Sequence, residues 1–168
     1  PPPPEQDLYT IDGDQNALTH YTYESGRFVV SQQTMGGFSC LYGLGVAPDG
    51  KNVYVTDDCL MVITNFKRDP NSGSLVFEDE LSGNVQNGDG LGCLKSLSFT
   101  ASGEWVVGLD SCDNFITILK RDLDTGTLTP TSIASPTNPN GNGINIDKTW
   151  NALVVSDGSG DIYVAGGS

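Results

Sequence analysis

The sequence predicts an all-β protein, a β-propeller-like array of about four four-stranded antiparallel blades that is incomplete at both ends. Two observations support this. Residues 40–75 recur without a gap fifty-three positions later, and the apolar residues come in short β-branched groups separated by turns. Four-stranded units of about 45–53 residues that close with a glycine-containing turn are typical of propeller blades. The 21 glycines and 9 prolines agree with many turns between short strands.

The internal repeat is defined by matched residues along its whole length. Cysteines, the central turn, the charged exit and the closing glycine all recur at one offset. The matched pairs include Cys40 and Cys93, Leu44 and Leu97, Gly50 and Gly103, Asp57 and Asp110, Cys59 and Cys112, Arg68 and Arg121, and Gly73 and Gly126. A self-match at constant offset indicates a repeat architecture.

The repeat divides the chain into a tail and four blades. Residues 1–7 are predicted to form a Pro-rich tail, because consecutive prolines adopt an extended polyproline conformation. The blades are a partial one over 8–33, complete ones over 40–81 and 93–135, and a partial one over 141–168. The first lacks its opening strand and the last lacks its closing strand, so we expect unpaired strand edges at both ends.

Individual strands follow from alternating apolar residues flanked by turn residues. The first repeat predicts strands over 8–11, 17–22 and 27–32. The second predicts strands over 41–47, 52–57, 60–67 and 74–80, and the third over 94–100, 105–110, 114–120 and 127–134. The last predicts strands over 143–146, 152–156 and 161–165.

The four cysteines are predicted to form two disulfides, each within one hairpin. A two-residue turn at positions 49–50 places Cys40 opposite Cys59, and the matching turn in the next unit places Cys93 opposite Cys112. Asp-Gly is a strong hairpin signal because both central residues of such a turn need positive φ. A metal site is the alternative, although the spacing is not Cys-x-x-Cys and the single histidine is remote in sequence.

Charge and hydropathy exclude several kinds of partner. The chain has 21 acidic and 8 basic residues, for a net charge of −13. Binding to nucleic acid or to an anionic membrane requires clustered Lys and Arg, so neither is expected as a partner. No stretch approaches eighteen consecutive apolar residues, so no membrane insertion is predicted.

The chain begins with proline and shows no signal peptide, so we expect it to be processed or excised from a longer chain. Paired cysteines predict an extracellular, secreted location.

Two segments resemble a known family. Residues 47–56, Ala-Pro-Asp-Gly-Lys-Asn-Val-Tyr-Val-Thr, are similar to the core of YVTN-type propellers. Residues 66–75 resemble the exit of lactonase-type blades, and residues 118–128 repeat that pattern. The chain after residue 7 therefore resembles the YVTN/lactonase-type β-propeller repeat family, which includes sugar lactonases, surface-layer proteins and secreted proteins of no known chemistry. The resemblance implies the blade fold and leaves the activity open, and rings of this family usually carry seven blades.

No residue is predicted to be catalytic. His20 is the only histidine, and the sequence offers it no recognisable partner, so we expect an ordinary strand histidine rather than a general base. The resemblance implies that lactonase-type sites take polar residues from the inner ends of many blades. We therefore expect no hydrolytic turnover by this chain.

Two Asp-rich turns are candidate calcium sites, and no other cofactor is expected. Each places oxygen-bearing side chains at alternate positions around a glycine, which suits a hard cation such as Ca²⁺. The candidate ligands are Asp12, Asp14 and Asn16 in the first turn, and Asp157, Ser159 and Asp161 in the second. Neither turn has the distal glutamate of an EF-hand, and the alternative is ordinary turn chemistry.

The sequence favours a secreted structural or interaction protein that assembles with other copies of itself through open strand edges, into filaments where the pairing does not close. One alternative is a fragment of a lactonase-like propeller enzyme. Another is a glycan- or calcium-binding module. Exposed aromatic side chains would favour glycans, whereas buried ones would indicate packing between blades. The aromatic residues concerned are Tyr21, Tyr23, Trp105, Trp150 and Tyr163.

Overall fold

The computed structural model describes residues 7–83, 91–110, 115–134, 150–155 and 162–166. Regular structure in these ranges consists of thirteen β-strands in four antiparallel sheets. The predicted all-β class is therefore confirmed. The part of the chain that is described contains no helix long and apolar enough to cross a membrane.

The first sheet has three strands, in the order β1 (Asp7–Asp12), β2 (Ala17–Glu24) and β3 (Arg27–Met35). Strand β1 lies at the edge, as expected of a repeat that lacks its opening strand. Asp7, which the sequence assigns to the tail, is the first residue of β1, and its Cα partner on β2 is Thr22. The rest of the predicted tail lies outside the described residues.

The second and third sheets each have four strands in sequence order. The second consists of β4 (Leu41–Val46), β5 (Asn52–Asp57), β6 (Val62–Arg68) and β7 (Leu75–Ser82). The third consists of β8 (Leu94–Phe99), β9 (Trp105–Asp110), β10 (Phe115–Arg121) and β11 (Leu128–Ala134). The described part of the last repeat pairs β12 (Trp150–Val155) with β13 (Ile162–Gly166), and the predicted opening strand 143–146 lies outside the described residues.

The turn between β4 and β5 differs from the predicted two-residue turn. Gly50 has a φ of 70°, but Asp49 is not at positive φ, and the Gly50 N–H donates to the Ala47 carbonyl at 2.8 Å. Proline holds φ near −65°, which suits the first central position of a type I turn. The turn is therefore built on Pro48-Asp49, with Gly50 in the left-handed conformation after it. Gly103 repeats this conformation in the third sheet, with the same φ.

This change of turn type leaves the strand register as predicted, because the observed turn and the predicted turn are both centred between residues 49 and 50. Leu44 still faces Val55, as predicted. Closer to the cysteines, a register shift occurs between Leu41 and Leu44. Strand β6 begins at Val62 rather than at residue 60, because residues 58–61 form the turn, with Met61 at a φ of 56°.

Strand β5 is buried on both faces and joins two hydrophobic clusters. Its side chains alternate, so Val53 and Val55 pack toward the first sheet and Tyr54 packs toward the third. All three are 0% exposed. Blades that stack face to face, as in a propeller, bury the middle of each sheet in this way.

Inner strands of neighbouring sheets are tied together by a buried threonine. Thr56, on β5, accepts a hydrogen bond from the Gly43 N–H on β4 at 2.7 Å. Its hydroxyl in turn donates to the Leu94 carbonyl on β8 at 2.6 Å. A Cβ at Gly43 would lie 2.7 Å from this hydroxyl, so only glycine allows the approach. The first residues of β4 and β8 are thereby fixed side by side.

Candidate functional site

Three side chains meet where β4 and β8 begin. Tyr42 and Lys95 occupy the same position in successive repeats. The Lys95 Nζ lies 3.1 Å from the centroid of the Tyr42 ring, as a cation–π contact. Asp58, just after β5, forms an ion pair with Lys95. We refer to Tyr42, Asp58 and Lys95 as the inner-strand cluster.

The inner-strand cluster combines an exposed ring with a largely buried ion pair. Tyr42 is 56% exposed, whereas the side chains of Lys95 and Asp58 are 19% and 11% exposed. Burial raises the pKa of Asp58, and this effect, with that of nearby Asp110 and Asp57, outweighs the opposing effect of Lys95. The cluster therefore presents an exposed aromatic ring beside a largely buried ammonium group whose position the Asp58 carboxyl fixes.

A disulfide closes the hairpin beside this cluster. Cys40 and Cys59 are bonded, with their Cα atoms 5.3 Å apart. This is the pairing predicted from their opposing positions in the hairpin. The Asp57 carboxylate accepts the backbone N–H of Cys40 at 3.1 Å and that of Leu60 at 2.9 Å. Thiols joined in a disulfide are not metal ligands, so the metal alternative fails for this pair.

The second predicted disulfide is only partly within the described residues. Cys93 is disulfide-bonded, and its predicted partner Cys112 lies outside the described ranges. Within those ranges, no group of three or more His, Cys, Asp or Glu side chains is placed to hold a metal ion.

In the first candidate calcium turn, the carboxylate of Asp12 shapes the backbone. Its Oδ1 accepts the backbone N–H groups of Asp14 and Gln15, both at 3.0 Å. Asn16 follows in the left-handed conformation, with a φ of 49°. This is the geometry of an Asx turn. Calcium binding stays a prediction, and the second set of ligands lies outside the described residues: Asp157, Ser159 and Asp161.

His20 has a carboxylate partner that the sequence did not reveal. Its Nε2 lies 2.8 Å from Oδ1 of Asp7, and its ring stacks on Tyr9 with centroids 4.9 Å apart. The expectation that His20 lacks a partner is wrong, because Asp7 belongs to β1 and lies diagonally across the strand pair. His20 is 1% exposed, so it supports the fold and does not reach a substrate.

The second and third sheets are joined by a tyrosine–arginine contact. The Tyr54 hydroxyl donates to the Gly126 carbonyl at 2.6 Å and accepts from Nε of Arg121 at 2.9 Å. Arg121 also donates to both carboxylate oxygens of Asp49, at 3.0 and 3.1 Å. The Arg121 side chain is 0% exposed, and burial raises the pKa of Tyr54 to about 12.

The same contact joins the first and second sheets. The Tyr9 hydroxyl donates to the Gly73 carbonyl at 2.6 Å and accepts from Nε of Arg68 at 2.9 Å. Arg68 also forms an ion pair with Asp7. Sequence reasoning missed both contacts, although a tyrosine and an arginine at matched positions in two repeats were a signal that could have found them.

The candidate aromatic residues do not form one platform. Tyr23 is 38% exposed on the first sheet and Tyr163 is 60% exposed on the last. Tyr21 and Trp105 are half-buried, and the side chain of Trp150 lies outside what the structure describes. The described members belong to three different sheets.

Comparison with family models and with curated proteins finds no match. Solved structures do match. A proposed 6-phosphogluconolactonase from Bacteroides fragilis is 20% identical with a TM-score of 0.66, over 75% of this chain and 35% of that one. The periplasmic gluconolactonase PpgL of Pseudomonas aeruginosa is 18% identical with a TM-score of 0.60, over 79% and 41%. The β-propeller domain of Myceliophteria thermophila Cps50 is 12% identical with a TM-score of 0.56, over 96% and 50%.

These similarities show the fold alone, because all the identities are low. They confirm the predicted β-propeller fold and agree with a propeller of the lactonase type. The chain spans about a third to two fifths of the length of the two lactonase structures. With no matching family model, membership of the YVTN repeat family stays a prediction.

Proposed function

We propose that this chain contributes blades to a lactonase-like propeller and binds a sugar lactone, or the aldonate to which it opens, at the inner-strand cluster. The observation that carries the proposal is the Lys95 ammonium held 3.1 Å from the centroid of the exposed Tyr42 ring. Two similar structures support it, since one is named as a 6-phosphogluconolactonase and the other as a gluconolactonase.

The chemistry of the inner-strand cluster suits such a ligand. An ammonium group has three donors and forms strong hydrogen bonds with a carboxylate or a polarised carbonyl oxygen. The exposed Tyr42 ring offers an apolar face against which the C–H groups of a sugar pack. Asp58 acts as a positioning residue, because its ion pair restrains the flexible Lys95 side chain.

We expect this chain to bind without hydrolysing the lactone. Hydrolysis would require a nucleophile activated by a base that the substrate reaches. His20 is buried against Asp7 and does not meet that requirement. Among the described residues, the inner-strand cluster supplies a cation and a ring but no such pair.

Binding of D-gluconate, measured by isothermal titration calorimetry, tests the proposal. Lys95→Gln is expected to weaken binding by about tenfold or more, the equivalent of about 1.4 kcal/mol. The matched control is Lys120→Gln, because Lys120 also lies over an aromatic ring, that of Trp105 at 5.9 Å, but on β10 of the third sheet. A pH-stat assay with D-glucono-1,5-lactone measures turnover in parallel. The proposal fails if gluconate does not bind, or if the two variants bind it equally well.

The comparisons favour this lactonase-like reading over a secreted filament protein. Self-association through the edge of β1 is a separate proposal. We also propose a location outside the cytoplasm. The Cys40–Cys59 disulfide and the periplasmic origin in the name of the Pseudomonas protein support that location.

A further inference from the structure

Each interface between the first three sheets contains a cavity at the same place in the repeat. The first interface cavity lies between the first and second sheets, the second lies between the second and third sheets, and each has a volume of about 290 Å³. Their linings correspond position by position: Thr22 in the first matches Lys67 in the second, and Ser72 matches Thr125. The repeat has therefore produced two equivalent cavities with different side chains.

The first interface cavity is lined by uncharged donors, by carboxylates and by one aromatic ring. Thr22, Ser31 and Ser72 contribute hydroxyl groups. Asp7, Glu24 and Asn71 contribute planar polar groups, and Tyr23 contributes its ring. No lysine or arginine is among the described residues that line it.

The second interface cavity has a very different lining. Three of the eight basic residues of the chain contribute to it, namely Lys51, Lys67 and Arg68. Asp49, Glu78 and Asp124 add three charges of the opposite sign. The two cavities thus form a natural pair, alike in place and size and unlike in charge.

We propose that the first interface cavity binds neutral carbohydrate, as a single hexose unit. A hexose presents hydroxyl groups that both donate and accept, together with an apolar C–H face. Hydroxyl, amide and carboxylate side chains form hydrogen bonds with the sugar hydroxyls, and an exposed tyrosine ring packs against the C–H face. The volume lies near the lower limit for ligand sites, which suits one sugar ring rather than a longer chain.

Several groups in the first interface cavity are already held in place. Asp7 is fixed by His20 and Arg68, so its orientation is set before a ligand arrives. Tyr23 packs in a T-shaped arrangement against Phe28, with ring centroids 5.2 Å apart. A lining that is ordered in advance loses less entropy on binding, which favours even a small ligand.

Other lining groups remain available to a ligand. The side chains of Ser31 and Asn71 and the hydroxyl of Tyr23 make no hydrogen bond to any described residue. Together they offer two hydroxyl groups and one amide around a partly exposed ring. These are the groups that we expect to contact the sugar hydroxyls.

The proposed sugar site is separate from the inner-strand cluster. Asp7 begins β1 and Glu24 ends β2. The cavity therefore lies at the end of the first sheet where the turn from β2 to β3 is found. Tyr42 and Lys95 lie at the other end, where the inner strands begin. The two sites are therefore at opposite ends of the sheets, and each is tested independently of the other.

Saturation-transfer difference NMR on the whole chain provides the test. The probes are D-glucose, D-galactose and D-mannose, each as the free sugar and as its methyl glycoside. We expect at least one of them to bind with a Kd of about 1 mM or tighter. Preference for a methyl glycoside identifies the end of a glycan chain as the natural ligand, and preference for the free sugar identifies a soluble hexose. Binding of neither form by the native protein overturns the proposal.

Variants locate the binding. Thr22→Lys and Ser31→Glu give the first cavity the residues that the second has at those positions, Lys67 and Glu78. Each is expected to raise the Kd for the sugar about fivefold or more, the equivalent of about 1 kcal/mol, and to reduce the signal accordingly. Lys67→Thr, the reverse change in the second cavity, is expected to leave the sugar signal unchanged.

Tyr23→Phe keeps the aromatic ring and removes the hydroxyl, so it separates the contribution of ring stacking from that of the hydroxyl group. Unfolding midpoints measured for every variant distinguish lost binding from lost folding. An equal signal from Thr22→Lys, Ser31→Glu and Lys67→Thr, with all three folded, places the sugar elsewhere and refutes the inference.

Discussion

At the scale of single residues, the contacts that join neighbouring sheets are buried and charged. Tyr54 accepts from an arginine and donates to a turn carbonyl, and Tyr9 does the same one sheet earlier. The environments differ in one respect. Arg121 is fully buried, whereas the Arg68 side chain is 18% exposed. Water can therefore replace a lost partner more easily at the Tyr9–Arg68 contact than at the Tyr54–Arg121 contact.

Replacing Tyr54 by phenylalanine should destabilise the protein by about 2–6 kcal/mol, since it leaves a buried guanidinium N–H and a buried carbonyl without partners at about 1–3 kcal/mol each. Tyr9→Phe should cost less, because Arg68 is closer to solvent. Urea unfolding gives both values. Tyr163→Phe, at a 60% exposed position, is the control and should be nearly neutral. Equal effects of Tyr54→Phe and Tyr163→Phe would contradict the role of the contact.

Asp49 makes part of the stability depend on pH. Burial alone would raise the pKa of Asp49, but hydrogen bonds from Arg121 and from the Lys51 backbone, together with their charges, lower it below its ordinary value. A carboxyl with a depressed folded-state pKa stabilises the protein fully above its unfolded pKa of about 3.9, and this contribution is lost as the pH falls through the folded value. The stability difference between the native protein and Asp49→Asn should therefore shrink between pH 7 and strongly acidic pH. A difference that stays constant in urea titrations across this range would argue against the ion pair.

Only part of the residue-scale picture could be read from the sequence. Pairing of Cys40 with Cys59 followed from counting across a turn, because hairpin register is local. The inner-strand cluster could not be predicted, since Tyr42 and Lys95 meet only when two sheets pack. Matched positions in a repeat show which residues are equivalent, but not that equivalent residues contact each other.

At the scale of the elements, the repeat gave the strands and their order. Strands β4 to β11 fall at the predicted places because alternation of apolar residues and turn residues acts within each hairpin. Differences arise where a turn is shaped by a side chain. Strand β6 starts late because Asp57 binds the backbone of the turn before it.

The disulfide of the second sheet should stabilise the hairpin end beside the inner-strand cluster. Its two cysteines are 19 residues apart. A closed loop of about twenty residues contributes about 3 kcal/mol in the chain-entropy model. The double variant with Cys40→Ala and Cys59→Ala should lose about this much in urea unfolding. Peptide mapping of the native protein without reductant should recover the Cys40–Cys59 pair, and free thiols at these positions would contradict the assignment.

The last element-scale feature is the glycine that closes each complete blade. Gly126 has a φ of 81°, and a Cβ there would overlap the Asn52 side chain of the preceding sheet. The turn thus needs glycine both for its conformation and for the approach of a neighbouring blade. This explains why the closing glycine recurs in the repeat, a point that the sequence alone left open.

At the scale of the whole molecule, the first of the described sheets lacks the opening strand that the second and third sheets have. Strand β1 is the edge of the three-stranded sheet, although the equivalent strand β5 lies between two others. Complete propellers hide such edges by closing the ring. An edge that presents free N–H and C=O groups is a template for pairing with another chain. The sequence predicted this edge, because the first repeat starts at a position equivalent to its second strand.

We therefore expect self-association through β1, which sedimentation velocity over a range of concentrations measures directly. Leu8 is 39% exposed on this edge strand, and a lysine there opposes edge pairing through charge and solvation. Leu8→Lys should reduce association, whereas Val30→Lys, on the outer strand β3 of the same sheet and 58% exposed, should leave it unchanged. Both variants keep the interface with the second sheet, because Tyr9 and Asp7 are untouched. If the native chain sediments as a monomer at every concentration, or if Leu8→Lys associates as strongly as Val30→Lys, the edge of β1 does not pair between copies and any closure of the ring must come from elsewhere.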